Sequence, residues 1–198
     1  HGVVEDEVAY DIMVRTKKVL EEHDGATVYP LVKDNNTEYI PLEKLARGSN
    51  ESVLTTPPYL SKNATVAANL RVYKTNSIYR DLIAQDVSPD SIVFMSIHTD
   101  VISEHANGMM IYYPDASLRN SSLTKSGSPY NGFAEVTADP VIEIEADKIE
   151  SQNSSSTLAD RIMAAALTHN VAVHKQEGIR GRIHRGSNTY VPAVIRWN

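Results

Sequence analysis

One short run constrains the fold of this chain more than any other feature. Ile92-Val93-Phe94-Met95-Ser96-Ile97 is continuous and almost wholly apolar, bounded by Ser88-Pro89-Asp90 before it and by His98-Thr99-Asp100 after it. Six such residues are too few for a buried helix and suit a strand covered on both faces, at the centre of an α/β sheet. Helical spacings alternate with it. From Glu5 to Glu22, Val8, Ile12, Val19 and Ala9, Met13, Leu20 fall on adjoining stripes, with Asp6, Arg15, Lys17, Lys18 and Glu21 on the wet side. Acidic residues open this segment and lysines follow, as the helix dipole favours, and Gly25 is placed to end it in the left-handed conformation. A second helical spacing runs from Ala67 to Gln85 through Leu70, Tyr73 and Leu82. A third starts at Thr157, with Asp160 three residues on, and carries Leu158, Ile162, Ala165 and Ala166 towards Asn170.

Ala26–Val32, Gly108–Tyr113, Val141–Glu145, Arg180–His184 and Tyr190–Trp197 read as further strands. Helices alternating with strands predict an α/β class with a mixed, mostly parallel central sheet flanked by helices. The 198 residues suit one domain. Residues 33–65 are polar and rich in turn formers, and are expected to form an insert with at most one short helix near Leu42–Ala46.

Composition narrows the chemistry. Nineteen Lys and Arg against 25 Asp and Glu leave a net charge of −6, which gives no global footprint for nucleic acid. No run of 18 apolar residues exists, so no membrane span is expected. The chain has no cysteine. Disulfides, thiolate ligands and a cysteine nucleophile are thereby excluded, and any metal must be held by His and carboxylate. The opening at His1, directly before a helical pattern, is what a mature or trimmed chain looks like.

Two places could carry chemistry. His98 follows the apolar run, and in an open α/β sheet ligands gather beyond the carboxyl ends of the strands. Neutral imidazole is the commonest protein metal ligand; the alternative is that His98 ends the strand and bonds a loop carbonyl. Glu5-Asp6-Glu7 crowds three carboxylates at a helix start. This is either an ordinary solvated start or a cluster whose repulsion a cation removes. A basic stretch, Arg180-Gly181-Arg182-Ile183-His184-Arg185, alternates in the manner of a strand. It forms either a wet face or a pair of arginines, Arg180 and Arg182, that hold substrate carboxylates through bidentate bonds.

The order of these segments carries a resemblance. Glu5-Asp6-Glu7-Val8-Ala9-Tyr10-Asp11-Ile12, Gly25-Ala26-Thr27-Val28, Ser96-Ile97-His98-Thr99-Asp100, Gly108-Met109-Met110-Ile111-Tyr112-Tyr113 and Tyr190-Val191-Pro192-Ala193-Val194 follow one another. The chain resembles the zinc-dependent N-acetylmuramoyl-L-alanine amidases of the Amidase_3 type, over most of its length apart from residues 33–65 and 115–150. The resemblance implies a mixed sheet flanked by helices and one Zn2+ on two His and one Glu. His98 matches the second of those His, and Glu5 matches the Glu, with Glu7 as the alternative if the register slips. Such a zinc acidifies its water and polarises an amide carbonyl. The bond cut joins the muramic acid lactyl group to L-alanine of the stem peptide. Arg71 and Asn76 resemble the family's Arg-and-Asn helix, where they brace loops.

Two departures stand out. The family's first His lies in a Gly-rich turn after an opening strand; here His1-Gly2 stands four positions before Glu5 and is read as an unrelated terminal His. The family's general-base Glu follows the Pro-Ala-Val stretch and is expected beyond Asn198, so the catalytic residue is unknown. The resemblance implies peptidoglycan muropeptides as partners and an extracytoplasmic place in a bacterium, the periplasm or cell wall. The alternative function is a degenerate, non-catalytic peptidoglycan-binding or scaffold domain that kept the fold. A different zinc amide hydrolase is a third reading.

Overall fold

The acidic start and later lysines give the opening segment its direction, and it forms helix α1, Glu5–His23. The computed structural model describes residues 5–43, 45, 50–99, 107–120, 123–138, 144–174, 178–185 and 187–191. Asp11–Arg15 and Lys17–Glu21 pair one turn apart along α1, on its wet side. The chain leaves the helix through Gly25 at φ +65°, with the Ala26 N–H on the Leu20 carbonyl at 3.1 Å. The buried face is not the expected one. Val14 is buried whereas Ile12 and Val19 are exposed, and Glu7, Tyr10 and Asp11 line a pocket beside Val14.

The chain divides into two compact units, one of residues His1–Asp100 with Lys125–Asp139, the other of Val101–Thr124 with Pro140–Asn198. The core of the first lies between a helix and a small sheet. Strands β1 (Val32–Asp34), β2 (Glu51–Val53) and β3 (Tyr59–Leu60) form an antiparallel sheet in that order. Val32 faces Val53 across the first pair, and Val53 faces Tyr59 across the second. The expectation of loop with one short helix over residues 33–65 is therefore corrected: these residues supply strands. The 42–46 helix falls partly outside the described residues, and Leu42, Glu43 and Leu45 are not helical. Of the strand expected over 26–32, only Val32 belongs to a ladder.

Helix α2, Ala64–Ile83, opens on Asn63, whose side chain accepts the Val66 N–H at 3.1 Å. Val66, Ala67 and Leu70 pack with Val53, joined by Tyr130, Phe133 and Val136. Leu70 and Val53 are fully buried, each worth about 2 kcal/mol of transfer free energy. Short helix α3, Ala134–Thr137, carries Glu135, only 4% exposed. Its carboxylate accepts the Thr56 N–H at 2.9 Å, the Thr56 hydroxyl at 3.2 Å and Lys74 Nζ at 3.1 Å.

Residues 92–99 follow a 3-10 turn at Pro89–Ser91 and are irregular. The central strand expected at 92–97 is not found: among the described residues this run belongs to no ladder. It is not buried on both faces either, since Val93 is 62% and Met95 51% exposed.

In the second unit, strand β4 (Ile111–Tyr112) pairs in parallel with β5 (Ile179–Arg180), and helix α4 (Glu145–Thr168) lies between them in the chain. A parallel pair needs such a crossover. Gly108, at φ +96°, lets this segment approach the next: a Cβ there would stand 2.5 Å from the Val173 carbonyl carbon. Helix α4 begins twelve residues before the expected Thr157 start, and Thr157 instead donates back to the Asn153 carbonyl at 2.9 Å. Of the strand expected at 141–145, Ile144 and Glu145 open α4 and the rest lies outside the described residues. Asn170, at φ +58°, follows the last turn. Strands β6 (Ile183–Arg185) and β7 (Asn188–Tyr190) form an antiparallel hairpin; residues 192–197, read as the rest of a strand, lie outside the described residues. The fold is thus mixed helix and sheet, broadly α/β, with small sheets. No helix among the described residues is long and apolar enough to cross a membrane.

Candidate metal centre

Glu5 is the first residue of α1, so its side chain leaves the helix end rather than packing along its flank. In an extended segment, residues two apart point to the same side, and Ser96 and His98 stand in that relation. The structure brings these three together. His98 Nδ1 lies 3.0 Å from Glu5 Oε1, across 93 positions of sequence, and His98 Nε2 lies 3.2 Å from Ser96 Oγ. The Thr99 hydroxyl donates to the Glu5 carbonyl at 3.1 Å, a second tie between the same two segments. The His98 and Glu5 side chains are 50% and 43% exposed, so the pair is open to water and solutes.

The two donor types are ones that a divalent ion takes. One carboxylate oxygen and one imidazole nitrogen are ordinary zinc donors, and at bonds of about 2.0–2.1 Å two donors on a tetrahedral ion stand about 3.3 Å apart. The observed 3.0 Å needs only a small opening. Among the described residues no group of three His, Asp or Glu side chains converges on one point. His1, the terminal histidine, lies outside the described residues.

Glu7, the alternative ligand, lines a separate small pocket with Asp6, Asp11, Asp34 and Glu51. Its volume of about 30 Å³ is room for two or three waters. Burial pushes the Glu51 carboxyl up, Asp6 and Asp34 add to that, and Arg71 opposes it. Arg71 is itself half-buried: desolvation lowers its guanidinium, and Glu51 and then Glu5 raise it. A half-buried cation thus sits in the field of both carboxylates. Sequence reasoning did not assign Ser96, Thr99 or the influence of Arg71 on Glu51. The two-residue spacing of Ser96 and His98 was the available signal for Ser96; the others depend on tertiary contact.

Arg180 and Arg182 belong to the second unit. Arg180 is half-buried in β5. Arg182 is paired with Asp115, whose carboxylate also accepts the Ser117 N–H at 3.0 Å and the Ser117 hydroxyl at 2.6 Å. Burial pushes Asp115 up, but Ser117 and Arg182 outweigh it and hold the carboxyl below its ordinary value.

No family model matches this chain, and neither a curated protein nor a solved structure matches it.

Proposed function

We propose that this chain is a zinc-dependent amidase that hydrolyses the bond between N-acetylmuramic acid and L-alanine in peptidoglycan, outside the cytoplasm of a bacterium. The observation that supports this reading most is the 3.0 Å approach of Glu5 to His98, residues that the ordered motifs of the sequence single out as ligands of one ion. Glu5 and His98 hold the zinc; when bound, it supplies an acidified water and a polarised carbonyl. Thr99 fixes the backbone of Glu5. The mixed, mostly parallel sheet of the family belongs to the same reading, with β4–β5 as one parallel pair.

Digestion of purified muropeptides in the presence of zinc tests it. Free stem peptides are expected from the chain and none from His98→Ala. Retention on sacculi without release of stem peptides would replace the amidase by a non-catalytic wall-binding domain. Cleavage of a simple peptide but not of a muramyl peptide would make it a different zinc amide hydrolase.

A further inference from the structure

We infer that the ion is bound through Nδ1 of His98, and that Ser96 is a positioning residue that accepts the proton of the opposite ring nitrogen and fixes the required tautomer. The inference rests on the reading of Glu5 and His98 as zinc ligands. The two nitrogens of the His98 ring face different partners: Nδ1 meets a carboxylate oxygen of Glu5 at 3.0 Å, and Nε2 meets the hydroxyl of Ser96 at 3.2 Å. A carboxylate only accepts, whereas a hydroxyl both donates and accepts, and a neutral imidazole carries one N–H.

Two arrangements follow. In the first, Nδ1–H donates to Glu5 and the Ser96 hydroxyl donates to Nε2. This arrangement leaves no lone pair facing the carboxylate, which favours it when no ion is present. In the second, Nε2–H donates to Ser96 Oγ, and the Nδ1 lone pair and the Glu5 carboxylate face one another. That is repulsive unless a cation lies between them, which is what a shared ion provides. An ion on Nε2 would lie towards Ser96, on the side of the ring away from Glu5, and could not use that carboxylate. The Ser96 hydroxyl turns to serve both arrangements, so the ring keeps its orientation when the ion enters. A ligating histidine commonly needs such a partner on its other nitrogen, and loss of the partner weakens metal binding by about 10–100-fold. Water can replace part of the contact at a half-exposed ring, which places the effect near the lower end.

The experiment is zinc titration of the full chain, with long-range proton–nitrogen NMR of the His98 ring, for wild type, Ser96→Ala and Ser96→Thr. Zinc is expected to move His98 from the Nδ1–H to the Nε2–H form. Ser96→Ala is expected to weaken zinc binding about 10-fold with an unchanged circular dichroism spectrum, and Ser96→Thr, which keeps the hydroxyl, to restore most of the affinity. A zinc-loaded His98 that retains Nδ1–H, or equal affinity in Ser96→Ala, overturns the inference and leaves the ligand assignment standing. A wild-type chain that takes up no zinc overturns that assignment and the inference with it.

Discussion

Glu135 and Glu5 each tie together segments far apart in sequence, in the same unit of the molecule, by similar bonds. Glu135 receives the amide and hydroxyl of Thr56, 79 positions away, and the ammonium of Lys74. Glu5 meets the imidazole of His98, 93 positions away, and its backbone receives the Thr99 hydroxyl. The difference is water. Glu135 is 4% exposed, and the Glu5 side chain is 43% exposed. A buried carboxylate with its partners in place is costly to break, because removing one side leaves the other desolvated and unpaired. An exposed pair contributes little to stability, so its side chains can change partner at small cost. The first arrangement suits a structural anchor and the second a place where something else binds.

Glu135→Ala is expected to break the first anchor, at a cost of about 3 kcal/mol in urea unfolding, since Lys74 and the Thr56 N–H lose their acceptor. A loss below about 1 kcal/mol would dissolve the distinction. The pH dependence sharpens it. Burial pushes the Glu135 carboxyl up, but the backbone N–H bonds and Lys74 outweigh that and hold it below its ordinary value. The folded state therefore binds this proton less readily than the unfolded state does. The stability is present above the unfolded carboxylate value of about 4.3 and is lost as pH falls through that value to the lower folded one. Unfolding midpoints measured from pH 7 downwards are expected to fall less steeply in Glu135→Gln than in wild type. The smallest effect is at the exposed pair. Metal-free Glu5→Gln and His98→Ala are each expected to stay within about 1 kcal/mol of wild type in the same unfolding measurement.

Helices were readable in the sequence where their periodicity is long, and strands were not. Helix α2 is found close to where Leu70, Tyr73 and Leu82 place it, because twenty residues of 3.6-fold spacing leave little choice. The strands are two or three residues long, and β2 is Glu51-Ser52-Val53, so no alternation could announce it. The early start of α4 was hidden for a related reason. Its first half is polar, and that polarity is satisfied by tertiary partners: Lys148 donates to the Arg119 carbonyl at 3.4 Å, and the Gln152 side chain accepts the Ala116 N–H at 2.7 Å. The run at 92–97 shows the reverse error. Its residues favour a strand locally, yet Val93 and Met95 stand exposed, because strand formation needs a neighbour and not only a propensity. For the candidate centre, the residue types and their order singled out Glu5 and His98. The approach of one to the other is a property of the fold that periodicity does not encode.

The most direct test of the exposed pair is the zinc dependence of unfolding free energy, measured for wild type, Glu5→Ala and His98→Ala. With free zinc at one hundred times its dissociation constant, wild type is expected to gain about 2.7 kcal/mol and both variants to gain none. An equal gain in all three, or no gain in wild type, would contradict the assignment of these two side chains to one ion.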